Sequence, residues 1–276
     1  MSTFLLFSRR VLALIGLLLV ALVAGAFAPP AGADEDARRH KLFMPLAAGS
    51  KRNPPPPPPP LNCDVPGTSY TSLSVIGDSL TVNPDTDPNL NLGYRGYKRV
   101  DAPLKLVELG PVWDPKAPQL PGMFGDRRTP RFTNTYQRYN WDASCNCRRD
   151  AESRWDATVL GLGVARGQPI YTPDSGYDIQ DGYEYLVLYA GESDLTLHVG
   201  REDEFFGYVV HIDGVCTDPD LLALYRQRHA EGRRYLPALR GHQPFGVALD
   251  GEIQVAVRDT GSFMDPRSRN DWWQGR

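Results

Sequence analysis

Tyr183, Tyr185, Val187 and Tyr189 alternate with Glu184, Leu186, Leu188 and Ala190, and Leu195, Leu197 and Val199 alternate with Thr196, His198 and Gly200. Two further runs, 208–212 and 253–257, keep the same two-residue period, the spacing of side chains along one face of a strand. Turn-forming residues separate the runs: GES at 191–193, RED at 201–203 and ALDGE at 248–252. The pattern predicts a mainly β fold. One segment departs from it. DPDLLALYRQRHAEG, residues 218–232, predicts a helix over about 219–231, with Asp218 as N-cap, Pro219 at the first helical position and Gly232 closing the end. Leu221, Leu224, Tyr225 and His229 share its apolar stripe, which places His229 at the edge of a packing face rather than among metal ligands.

The amino-terminal fifth reads differently. Arg9 and Arg10 precede an apolar or small stretch from Val11 to Ala28, and small-x-small sites end at Ala28 and Ala33. This is the pattern of a secretory signal over 1–33, with cleavage expected after Ala33 because Pro29 disfavours the first site. Left uncleaved, the same stretch is near the lower limit for spanning a bilayer, so any membrane association is expected through this segment alone. Residues 34–62 are charged and then proline-rich. Pro54 to Pro60 is an unbroken proline run, expected to form a stiff extended spacer before the folded part. A secreted or cell-surface location follows, with the folded part beginning near Cys63.

About 210 residues remain, enough for one sizeable core in one domain or two closely packed subdomains. The chain has 30 Lys and Arg against 33 Asp and Glu, and loses two of the basic residues with the export segment. A nucleic-acid partner is excluded on charge, since neutralising phosphates along a duplex needs a clustered basic surface. The four cysteines, Cys63, Cys145, Cys147 and Cys216, form an even set in an exported chain and are expected in disulfides. Because neighbours at i and i+2 close a very tight loop, Cys145 and Cys147 are expected to bridge separately to Cys63 and Cys216. A four-cysteine zinc site is disfavoured by the same spacing, as structural zinc ligands come in pairs two to four residues apart.

SVIGDSLT, residues 74–81, resembles the nucleophile block of the GDSL esterases and lipases, with Ser79 in the nucleophile position. That chemistry needs a helix after the serine and a downstream Asp-x-x-His to supply the base. TVNPDTDPNLN follows instead, and none of His40, His198, His211, His229 and His242 has an aspartate three residues before it. Ser79 is therefore read as an ordinary turn hydroxyl. Asp85, Asp87 and Asn89 have the alternate spacing of a calcium loop, but Leu90 and Gly96 stand where glycine and glutamate are required.

The carboxy-terminal half carries a broader resemblance. GQPIYTPDSG (167–176), GYVVHIDG (207–214), GHQPFG (241–246) and VAVRDTGSFMDPRS (255–268) occur in the order of similar motifs in the M23, or LytM-type, zinc endopeptidases of bacterial cell walls. The resemblance covers roughly 155–268. It implies an antiparallel β-sheet domain of sandwich or barrel-like form, of the duplicated hybrid motif type, and divides the folded part into an N-terminal β-rich segment, 63–154, and an M23-like domain, 155–276. It also implies a lost catalytic site. The metal-ligand positions fall on Ala157, Gly161 and, as the second residue of the H-x-H pair, Gln254, while the other active-site histidines fall at Glu252 and at Gln227 in the predicted helix. None supplies imidazole, and without three ligands zinc is not held.

The expected function is accordingly that of a pseudoenzyme, a non-catalytic binding or structural module of the cell envelope, with no cofactor and with wall polymer or another envelope protein as partner. Tyr136, Tyr139, Trp141, Trp272 and Trp273 are the candidate binding aromatics if they face outward, and core residues if they pack beneath the sheet. The alternative is a secreted hydrolase, acting through Ser79 or through zinc on His198, His211 and His242.

Overall fold

A computed structural model describes residues 59–76, 83–109, 114–151, 153–200 and 207–275. The export segment, most of the proline-rich linker, the Gly77–Leu80 block with Ser79 and the turn at 201–203 lie outside these. The strands are β1 (Thr71–Ser74), β2 (Tyr97–Val100), β3 (Phe132–Arg138), β4 (Asn140–Asp142), β5 (Cys147–Arg149), β6 (Val159–Gly163), β7 (Pro169–Tyr171) and β8 (Tyr183–Ala190). There follow β9 (Asp194–Val199), β10 (Tyr208–Asp213), β11 (Val215–Thr217), β12 (Tyr235–Arg240), β13 (Pro244–Ala248), β14 (Glu252–Asp259) and β15 (Ser262–Phe263). Three helices, α1 (Leu92–Arg95), α2 (Pro219–Ala230) and α3 (Arg269–Trp272), complete the described elements apart from two short 3-10 turns.

The architecture is mainly β and antiparallel. The main sheet runs β1-β12-β8-β9-β10-β14-β6-β3-β2, with β15 folded back on β14, and β11-β13-β7 form a second, small sheet. The alternating runs at 183–190, 194–199, 208–213 and 252–259 are four neighbouring strands of the main sheet, as their two-residue period predicts. Strands from both expected segments interleave in it: β3 pairs with β6, and β1 with β12. The described residues on either side of position 154 thus share one sheet and belong to one unit.

Register divides the residues of the central strands between two faces. Leu160, Leu162, Leu195, Leu197, Val210, Ile212, Ile253, Val255 and Val257 enter the main core. Trp272 and Trp273 belong to the same core, with Trp273 tilted on Phe132 at 5.3 Å. Their indole N–H groups donate to the carbonyls of Asp265 and Pro266, so the polar edge of each ring is satisfied inside. The candidate role of these two tryptophans as an exposed platform is therefore corrected.

Helix α2 forms where its cap predicts. Asp218 accepts from the N–H groups of Asp220 and Leu221 with one carboxylate oxygen and from Val65 N–H, at 2.7 Å, with the other. Its buried residues are Leu221, Leu222 and Tyr225, so Leu222 takes the place expected for Leu224, while His229 is exposed and stacks on Tyr225.

The disulfides pair differently from expectation: Cys63 with Cys216, and Cys145 with Cys147. The tight i, i+2 bridge sits at the tip of the β4–β5 hairpin. There Ser144 N–H donates to the Asp142 carboxylate, and Asn146 adopts a left-handed conformation with φ 48°. That bend brings the two Cα atoms to 5.2 Å, within ordinary disulfide range. The long bridge ties the start of the folded part to β11, the same region that Asp218 holds through Val65.

Candidate functional site

The other face of the central strands is polar. β9 presents Asp194, Thr196 and His198, β10 presents His211 and Asp213, and β14 presents Glu252, Gln254 and Arg258. The register aligns Asp194 with Asp213, Asp213 with Gln254, Gln254 with Gly161 and Gly161 with Asn134. Five strands thus set one transverse row, Asp194, Asp213, Gln254, Gly161 and Asn134, with Glu252 one step along β14 on the same face. Every side chain of the row, and Glu252, is partly exposed.

Glycine at 161 makes the arrangement fit. A Cβ there would stand 2.6 Å from the Glu252 carboxyl carbon, so the missing side chain is what lets the carboxylate lie across β6. Glu252 then accepts from Thr133, Asn134, Tyr136 and Gln254, the last two at 2.7 Å. Burial pushes its carboxyl up, but the four side-chain bonds outweigh burial and hold it below its ordinary range. Asp213 goes the other way. Burial first, then the charge of Asp194, push it up to about 7, against a hydrogen bond from Tyr97. Asp194 is also raised, mainly by burial, although Tyr189 donates to it, and Asn91 in turn donates to the Tyr189 hydroxyl at 3.0 Å. Tyr97 and Tyr136 meet edge to face at 5.2 Å over the row, and a cavity of about 420 Å³ opens beside it, lined by Arg99, Asp101, Thr133 and Asn134 among others.

Of the positions assigned to lost zinc ligands or catalytic histidines, Gly161, Glu252 and Gln254 come together here. Ala157 is buried in the segment leading into β6, and Gln227 is exposed on α2, where it donates to Glu231. The alternative histidine set does not converge. His198 and His211 are diagonal neighbours on β9 and β10, but His242 lies in the β12–β13 turn, stacked on Tyr171 and bonded to Gly122 O. No group of three His, Cys, Asp or Glu placed to hold a metal occurs among the described residues. His211 is instead a buried neutral imidazole. Thr196 Oγ1 donates to Leu90 O at 2.5 Å, so its oxygen accepts from His211 Nδ1–H at 2.9 Å, and burial with Arg258 and Arg95 nearby holds the ring well below its ordinary pKa.

The other candidate aromatics are partly buried. Tyr136 belongs to the Glu252 cluster, Trp141 packs on Tyr94 at 5.1 Å in the β4–β5 hairpin, and Tyr139 lies under the Arg148 guanidinium. Sequence reading missed Asp194, Asp213, Tyr97 and Asn134. The alternation at 194–199 and 208–213 carried the signal, since it sets Asp194, Thr196 and His198 on one face of the first run and His211 with Asp213 on one face of the second, but the register that aligns them is a long-range property. No helix among the described residues is long and apolar enough to cross a membrane. Comparison with family models, with curated proteins and with solved structures gives no match for this chain.

Proposed function

We propose that the chain is an exported, non-catalytic binding module of the cell envelope, and that the Asp194–Asp213–Gln254–Asn134 row holds a hydroxyl-rich wall polymer. The observation that carries this reading is the closed hydrogen-bond ring around Glu252. A carboxylate offers about four acceptor positions, and here four donors from β3 and β14 occupy them, which leaves little capacity for a metal, a nucleophilic attack or a proton transfer. On the M23 resemblance, the ring gathers Gly161 and Gln254, which match lost ligand positions, and Glu252, which matches a lost catalytic histidine. Around it, carboxyl, carboxamide and phenol groups stand in a line at half-buried positions, a donor and acceptor set suited to sugar hydroxyls, with Tyr97 and Tyr136 as ring surfaces. Calorimetric titration with soluble β-1,4-linked N-acetylglucosamine oligomers tests the reading. Binding that is lost in Gln254→Ala and Asp213→Ala supports it, whereas heats unchanged by both substitutions count against it.

A second reading rests on one specific observation. Asp213 and Glu252 are carboxyl groups displaced in opposite directions, the pattern of an acid and an ionised partner in glycoside cleavage. Under that reading, sugar reducing ends accumulate with the wild-type chain and not with Asp213→Asn.

A further inference from the structure

The same face ends in arginines at the far end of β14. Arg95, Arg138 and Arg258 each place a guanidinium carbon 5.2 to 5.4 Å from the centre of the Phe263 ring. Among the described residues, Arg95 and Arg138 donate to carbonyl and carboxamide oxygens, and neither they nor Arg154 enters an ion pair. Burial, then Arg138 and Arg258, lower Arg95 to about 10, while Asp87 acts in the opposite direction. Burial likewise lowers Arg138, and its Nε is buried without a hydrogen-bond partner. Gathering like charges this way is costly unless an anion offsets it.

A cavity of about 490 Å³ opens on this cluster, lined by Arg138, Ser153, Arg154, Trp155, Gly261, Ser262 and Phe263. Arg154 is stacked on Trp155, its Cζ 4.2 Å from the ring centre, which orients the guanidinium fork before any ligand arrives. Gly261, with φ 78°, follows Thr260, with φ 45°, in the tight turn between β14 and β15, and Ser262 stands just beyond it. Among the described residues, Asp259 beside that turn lies opposite Ser262 across β14–β15 and accepts from Thr260, and Asp156 makes its ion pair with Arg267.

We infer that this cavity is an anion site for a phosphate group, held by the guanidinium groups of Arg138 and Arg154 with the hydroxyls of Ser153 and Ser262. Two forks and two hydroxyls supply more donors than a planar carboxylate can accept from one side, and match the three free oxygens of a phosphate monoester. The site is separate from the Glu252 row. Glu252 and Arg258 stand six residue steps apart on β14, about 20 Å at strand rise.

The test is titration of the purified chain with inorganic phosphate, glucose 1-phosphate, glucuronate and glucose at constant ionic strength, read by calorimetry and by melting temperature. Glucose 1-phosphate and inorganic phosphate are expected to bind and to raise Tm, and glucose to do neither. Arg154→Gln, at an exposed position, is expected to keep its Tm in chloride while weakening phosphate binding at least tenfold. Arg138→Lys, which keeps the charge but loses the fork, is expected to weaken it as well. Glu252→Gln separates the two sites, because it leaves phosphate binding intact whatever becomes of oligosaccharide binding. Equal affinity in Arg154→Gln, or glucuronate binding tighter than either phosphate, overturns the inference.

Discussion

The carboxylate of Glu252 occupies the space that a side chain at Gly161 would need: a Cβ at position 161 would lie 2.6 Å from its carboxyl carbon and its outer oxygen. The two residues belong to neighbouring strands of one sheet, and the hydrogen-bond ring of the candidate site depends on their fit. Gly161→Ala is expected to cost about 1 to 3 kcal/mol, the usual range for overpacking a well-filled position. In a Glu252→Ala background the same substitution is expected to cost much less. Urea denaturation of the two single variants and the double variant measures the coupling, and additive costs would show that the two positions do not compete for space.

Asp213 sets a pH dependence of stability. Its folded pKa, about 7, lies above the ordinary carboxyl value near 4, so the folded chain holds this proton more tightly than the unfolded one. The group's stabilising contribution is complete below about pH 4, declines as pH rises towards 7, and stays level above that. Asp213→Asn removes the decline. The variant is expected to match the wild type near pH 4 and to exceed it at pH 8 by an amount on the order of a few kcal/mol. A difference that is constant from pH 4 to pH 8 would rule out a raised carboxyl at this position.

The two disulfides should differ in weight. The Cys63–Cys216 bridge spans 153 residues, and in the chain-entropy picture its loss costs about 5 kcal/mol, whereas the Cys145–Cys147 loop is so short that roughly 2 kcal/mol is its upper range. Non-reducing peptide mapping checks the pairing, and thermal melts of Cys63→Ser with Cys216→Ser against Cys145→Ser with Cys147→Ser check the ranking. A larger loss from the hairpin pair would contradict it.

Much of the fold was legible in the chain. The alternating runs at 183–190 and 252–259 name strands because period two is local, and Asp218 followed by Pro219 names a helix start because capping is local. What lay beyond reach depends on distant partners. Whether Trp272 and Trp273 face outward or pack beneath the sheet is decided only where Asp265 and Pro266 provide carbonyls for their indoles within the core. Cys145 and Cys147 read as too close to bridge until the left-handed Asn146 is seen to bend the chain between β4 and β5. The site is the clearest case. Glu252 and Gln254 were singled out through the M23 resemblance, but Asp194, Asp213 and Asn134 join them only through register across five strands.

Incubation of the purified chain with insoluble bacterial wall, followed by centrifugation and assay of both fractions, distinguishes a wall-binding module from a lytic enzyme. The expected result is that the wild-type chain pellets with the wall, that Asp213→Ala combined with Gln254→Ala remains in the supernatant, and that neither releases soluble sugar or peptide fragments. A wild-type chain that stays in solution, or one that steadily releases wall fragments, would contradict the account of a non-catalytic wall-binding module.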